Sequence, residues 1–110
     1  MKLKRDDLDG KIVKQSNVYT VIDNTHLANL VVSKTILHPT QSTGGHSHAG
    51  QEEVYQFIAG SGTMIVGSNQ FDVEIGDTVL IPDGEFHQVI NKSHVEDIVF
   101  LCVFDGRRTH

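Results

Sequence analysis

Residues 53–91 read EVYQFIAGSGTMIVGSNQFDVEIGDTVLIPDGEFHQVIN, and this stretch decides the fold. Short apolar runs are interrupted at Gly60-Ser61-Gly62, Gly67-Ser68-Asn69-Gln70, Gly76-Asp77 and Pro82-Asp83-Gly84. Each interruption carries residues that tolerate positive φ or preset a turn. Turns this close together require antiparallel neighbours, and regularly spaced short strands of that kind close into a sandwich or barrel that covers their edges. The stretch predicts strands at 53–59, 63–66, 71–75, 78–81 and 86–91.

The same rhythm continues outward, with further strands predicted at 18–23, 30–37, 45–48 and 97–104, and no helix-period stretch of useful length competes with it. The expected class is therefore all-β. Residues 1–17 read as a lead segment with a possible edge strand, 18–106 as the barrel and 107–110 as a tail. His38 to Gly45 is a polar loop, long for this chain, of the sort that borders a site.

A length of 110 residues leaves room for one domain, and a hydrophobic fraction of 38% suits a folded globular chain. Nine basic residues against 14 acidic ones give a net charge of −5, with no basic cluster, which speaks against nucleic acid as a partner. The first eleven residues mix both signs and lack the apolar run of a signal peptide or membrane span, so no membrane association is expected and the default location is cytoplasmic. Cys102 is the only cysteine, which rules out an intrachain disulfide and a cysteine metal cluster. Within the apolar run 98–104 it reads as a small buried hydrophobe.

Chemistry concentrates in the histidines. His46 and His48 stand two apart, which on a strand puts both imidazoles on one face and on a helix would not. The linker Ala49-Gly50-Gln51-Glu52 can turn the chain so that a carboxylate at Glu53 returns to the two rings, with Glu52 as its rival. His87 follows Pro82-Asp83-Gly84-Glu85-Phe86, a turn that would bring a third imidazole back to the group. Three imidazoles and one carboxylate suit iron, manganese, cobalt, nickel or zinc better than calcium or magnesium. For His26, His38, His94 and His110 the plain reading, a surface or hydrogen-bonded histidine, stands.

The run His46-Ser47-His48-Ala49-Gly50-Gln51-Glu52-Glu53, with Gly60 six residues further on, resembles the first motif of the cupins, H-x-H-x3,4-E-x6-G. Gly76, Pro82, Gly84, His87 and Asn91 match every fixed position of the second, G-x5-P-x-G-x2-H-x3-N. The six-residue gap before Gly60 selects Glu53 over Glu52. One position departs: where the cupin pattern opens with glycine, this chain has Thr40. The resemblance implies a double-stranded β-helix, or jelly-roll-like, barrel holding one divalent transition metal inside on His46, His48, Glu53 and His87. It also implies a homodimer.

If Glu53 points inward, alternation places Tyr55 and Phe57 on its face, and Phe100, Cys102 and Phe104 line up from the last strand. Tyr55 is then the candidate for acid/base work, with a barrel-lining aromatic as the plain alternative. Gln51, Phe57, Cys102 and Phe104 are the expected substrate contacts, and Arg107 and Arg108 read either as a mouth for an anion or as an exposed tail. These features, with the resemblance, lead to a metal-dependent enzyme on a small, polar, carbohydrate-like substrate, of isomerase or lyase type with the metal as Lewis acid. An iron-dependent oxygenase and a ligand-binding cupin without enzymatic activity are the alternatives.

Overall fold

The structure, a computed structural model, describes residues 1–47 and 49–106. The ligand role expected of His48 and the mouth or tail expected of Arg107 and Arg108 lie outside the described residues. Among those described there are nine strands: β1 (Lys11–Gln15), β2 (Tyr19–Asn24), β3 (Leu30–Leu37), β4 (Glu53–Ala59), β5 (Ser61–Val66), β6 (Asn69–Glu74), β7 (Thr78–Ile81), β8 (His87–Ile90) and β9 (Ile98–Asp105).

They form two antiparallel sheets, one in the order β1-β2-β3-β9-β4-β7 and the other β6-β5-β8, stacked as a jelly-roll barrel. Every strand pair is antiparallel, as the close turns require. The β4–β5 corner is a single residue, Gly60, at φ 76°, where a Cβ would run into the carbonyl of Asp97. Only glycine fits so sharp a switch from one sheet to the other.

Between the sheets lies one core of Leu37, Tyr55, Phe57, Met64, Val73, Ile81, Val89, Ile98, Phe100 and Cys102. It is assembled from alternate residues: on β4, Glu53, Tyr55 and Phe57 are buried while Val54 and Gln56 are exposed. Burying an aromatic ring such as Phe57 or Phe100 contributes roughly 2–3 kcal/mol relative to leaving it exposed.

Of the strand expected at 45–48, the described residues 45–47 form no strand. His46 makes only an isolated bridge to His87, and Ser42 another to Ile90. Between the two, Thr43 accepts the Val89 amide on its own hydroxyl, and Gly44 and Gly45 follow, so side-chain bonding and glycine interrupt the ladder. The segment 42–46 therefore runs along β8 as an irregular edge. The lead segment supplies β1, which pairs with β2 and is exposed along its whole length.

Two motif positions hold the barrel ends. Asn91, 2% exposed, donates its amide to the carbonyls of Leu37, His38 and Glu96 and accepts the Ser93 amide, tying β3 to the chain entering β9. Thr40, standing where the motif has glycine, still takes the left-handed conformation at φ 66°. The turn entering the motif is preserved although the residue that suits it is not.

Candidate metal centre

Glu53 opens β4 and His87 opens β8, so the two come from opposite sheets, at the same end of the barrel. The Oε2 of Glu53 is 2.8 Å from Nε2 of His87, and the two residues are 9% and 3% exposed. His46 faces His87 across a two-way backbone bridge, each donating its amide to the carbonyl of the other, at 3.2 and 3.0 Å. That pairing brings the ring centroids to 4.3 Å, edge to face. One ligand-type atom from each of His46, Glu53 and His87 lies within 4.8 Å of the others, a group that could hold a metal ion. Glu52 is exposed, so Glu53 is the carboxylate that meets the histidines.

The supports around these residues fit a metal. Nδ1 of His87 sits 3.1 Å from the Glu85 carbonyl, so in the neutral ring its N–H donates there and the lone pair is left on Nε2, the atom facing Glu53. Gly45, next to His46, sits at φ 70° with the Phe86 ring against it, where a Cβ would strike the ring. The donor set is two imidazoles and a carboxylate, borderline in softness, with Glu53 and His87 buried and His46 exposed, and suits a first-row transition ion.

Burial works against charge on His87, yet its hydrogen bond to Glu53, its bond to the Glu85 carbonyl and the Glu53 charge together raise its pKa above the ordinary histidine value. Tyr55 rests its ring on the edge of His87, centroids 5.7 Å apart, and stacks on Phe100 at 4.9 Å. Burial above all, then the neighbouring Cys102 and Glu53, push its hydroxyl well above 10, so it stays protonated. Cys102, directly opposite Tyr55 across the β4–β9 pairing, is pushed up by burial and then by Glu53, so it stays a thiol.

The other expected contacts are placed as follows. Gln51 is buried beside the start of β4, and Phe104 is partly buried against the core. Phe57, 1% exposed, packs in the core against Phe100 at 5.4 Å, one inward step below Tyr55. Two residues went unnoticed in the sequence: Ser33 pairs with Cys102 across β3–β9, and its hydroxyl donates to Asp23 at 2.6 Å. Tyr55, Cys102, Ser33 and Asp23 thus form one polar row across four strands of the inner face. Only alternation along strands of known register could have found it.

The fold and the site define a cupin, and the comparisons agree: the Cupin_2 family, described as "Cupin domain", matches residues 33–104, and the chain belongs to that family. It is similar to an uncharacterised protein of Methanocaldococcus jannaschii, 30% identical over 102 residues, which cover 87% of this chain and 74% of the relative. It is also similar to an oxalate-binding protein of Thermotoga maritima, 31% identical over 67 residues, covering 61% of this chain and 54% of that one. Among solved structures it superposes with a TM-score of 0.79 on a predicted oxalate decarboxylase of Thermotoga maritima, at 22% identity, covering 96% of this chain and 98% of the other.

Proposed function

We propose that this cupin is a metal-dependent enzyme acting on a small, polar, carbohydrate-like molecule by isomerase- or lyase-type proton movement. The reading gives His46, His48, Glu53 and His87 the task of holding one divalent ion, iron, manganese, nickel, cobalt or zinc. When bound, such an ion supplies Lewis-acid polarisation of a substrate carbonyl or hydroxyl oxygen.

The observation that carries the reading is Tyr55. Its ring is fixed between His87 and Phe100, and its hydroxyl is held protonated on the inward face, two residues from Glu53. A phenol kept in that state holds its proton too tightly to hand it over, and serves as a hydrogen-bond donor to a substrate oxygen as charge develops there, not as a base. Phe57 and Phe100 close the floor beneath it, and Phe104 and Cys102 flank it from β9. Asp23 and Ser33 continue the polar wall, which suits a ligand bearing hydroxyls.

A second reading, binding of a small carboxylate without turnover, is favoured by the likeness to the oxalate-binding protein. Either way the ligand is a small molecule. The homodimer and the cytoplasmic location belong to the same proposal: no helix among the described residues is long and apolar enough to cross a membrane, and light scattering of the purified protein reads the dimer directly.

The test compares wild type, His87→Ala and Tyr55→Phe. Elemental analysis of protein purified without added metal should give close to one transition ion per wild-type chain and almost none in His87→Ala, and equal metal in both would sink the ligand assignment. On a panel of sugars and sugar acids without oxygen, Tyr55→Phe should retain its metal and lose about 100-fold or more in turnover. Binding without turnover of any compound would move the protein to the second reading, and oxygen uptake by iron-loaded protein would mark an oxygenase.

A further inference from the structure

We infer that Gln51 is the recognition group of this site and selects a small hydroxycarboxylic acid, a ligand with a hydroxyl beside its carboxylate. This deepens the proposed function and rests on it for the place where the ligand binds.

Burial alternates without a break from 51 to 57: Gln51, Glu53, Tyr55 and Phe57 are buried, and Glu52, Val54 and Gln56 are exposed. The period of two, carried two residues upstream of β4, puts the Gln51 side chain on the inward face with Glu53 and Tyr55. That side chain is only 3% exposed, yet neither its Oε1 nor its Nε2 has a hydrogen-bond partner among the described residues. Nor does it hang from a free loop: the preceding residue, Gly50, donates its amide to Asp83 Oδ1, in the turn between β7 and β8.

A buried carboxamide without partners is costly, so its two polar atoms call for partners from outside the protein, water when the site rests and a ligand when it is filled. The chemistry of the amide then specifies the ligand. Nε2 donates and needs an acceptor, best met by a carboxylate oxygen, since a charged acceptor makes the stronger bond. Oε1 accepts and needs an O–H beside that oxygen. A plain carboxylate leaves Oε1 unanswered, and a plain diol forgoes the charged contact. Because the amide is neutral, it can lie close to Glu53 and still receive an anion. The second carboxylate oxygen is then free to meet the His46–Glu53–His87 group, and further hydroxyls the Ser33–Asp23 pair.

The experiment titrates cobalt(II)-loaded protein calorimetrically with glycolate, acetate and ethylene glycol. Wild type should bind glycolate at least about tenfold more tightly than acetate, with ethylene glycol weakest. Gln51→Met, close in size and free of strong donors, should bring glycolate to within about twofold of acetate while the cobalt content and visible spectrum stay unchanged. Gln51→Glu should abolish binding of both acids by placing a second carboxylate against them. A glycolate preference that survives in Gln51→Met, or is missing in wild type, overturns the inference. So does loss of cobalt from Gln51→Met, which would make Gln51 a support of the metal residues instead. If wild type takes up no metal, the metal reading fails separately. The Gln51 side-chain amide signals in a nitrogen-15 spectrum of the metal-free protein then decide: a shift with glycolate and not with acetate sustains the inference, and no shift ends it.

Discussion

Strand β4 carries two chemistries along one inward face. Glu53 and Tyr55, with Gln51 before them, look into the end where His46 and His87 meet; Phe57, one step further, is sealed among Phe100, Leu37, Met64, Val89 and Ile98, each no more than 1% exposed. Strand β9 repeats the division, with Cys102 and Phe104 toward the polar end and Phe100 and Ile98 in the apolar end, and so does β3, with Ser33 and then Leu37. Packing holds the interior of the apolar end, with the Asn91 amide bonds to Leu37, His38 and Glu96 at its rim, whereas the polar end relies on directed bonds: the His46–His87 bridge, the Glu85 carbonyl on His87, and Asp83 on Gly50. One barrel thus separates what keeps it folded from what equips it to bind.

The largest expected effect comes from breaking the apolar end. Phe100→Ala removes the ring that stacks on Tyr55 at 4.9 Å and packs against Phe57 at 5.4 Å, in the buried core. The cost should be about 3–5 kcal/mol, a large part of a small domain's stability. Urea unfolding measures it, and metal content of the fraction that remains folded should stay near wild type. A loss below about 1 kcal/mol would show that the two ends share the load.

How much of this was legible in the sequence depends on which interaction set each feature. Strands β3, β4 and β7 could be read to the residue because alternation and flanking Gly, Pro and Asp mark them locally. The edge at 42–46 could not, since its irregularity comes from the Thr43 hydroxyl reaching Val89, a contact 46 residues away. The same limit applies to the site. Glu53 and His87 were identifiable from motif spacing, but Ser33 and Asp23 join the polar row only through the register of β2, β3 and β9. No local signal marks a serine inside a strand as facing inward.

A smaller effect, confined to the polar end, follows from pH. The folded-state pKa of His87 is raised, mainly because Glu53 and the Glu85 carbonyl outweigh burial, so protonated His87 stabilises the metal-free protein. That contribution is complete below the unfolded value, near pH ~6.5, and fades as pH climbs through the higher folded value. Metal binding runs the other way, since Nε2 of His87 must give up its proton to coordinate. The difference in Tm between metal-free wild type and His87→Gln should therefore shrink as pH rises from 6 to about 9, while the Tm gain on adding manganese(II) to wild type grows. A metal-free difference that widens with pH would remove the His87–Glu53 contact from the account.

The smallest effect should come from the loop that feeds the polar end. Thr40 holds φ 66° six residues before His46, with its amide donating to the Ser93 carbonyl, so the backbone has little freedom to relax. A β-branched residue in the left-handed region costs about 1–2 kcal/mol, and glycine there avoids that cost while giving back about 0.5–1 kcal/mol of chain entropy. Thr40→Gly should thus stabilise by about 0.5–1 kcal/mol, a Tm rise of about 2–4 °C. Because the turn is already formed with threonine in place, the backbone geometry presented to His46 should not change, and metal affinity should stay within about twofold of wild type. Stability that rises with affinity fixed would show that strain in this loop is separable from the ligands it carries, whereas affinity rising in step would mean that the turn and the metal residues are set by one equilibrium.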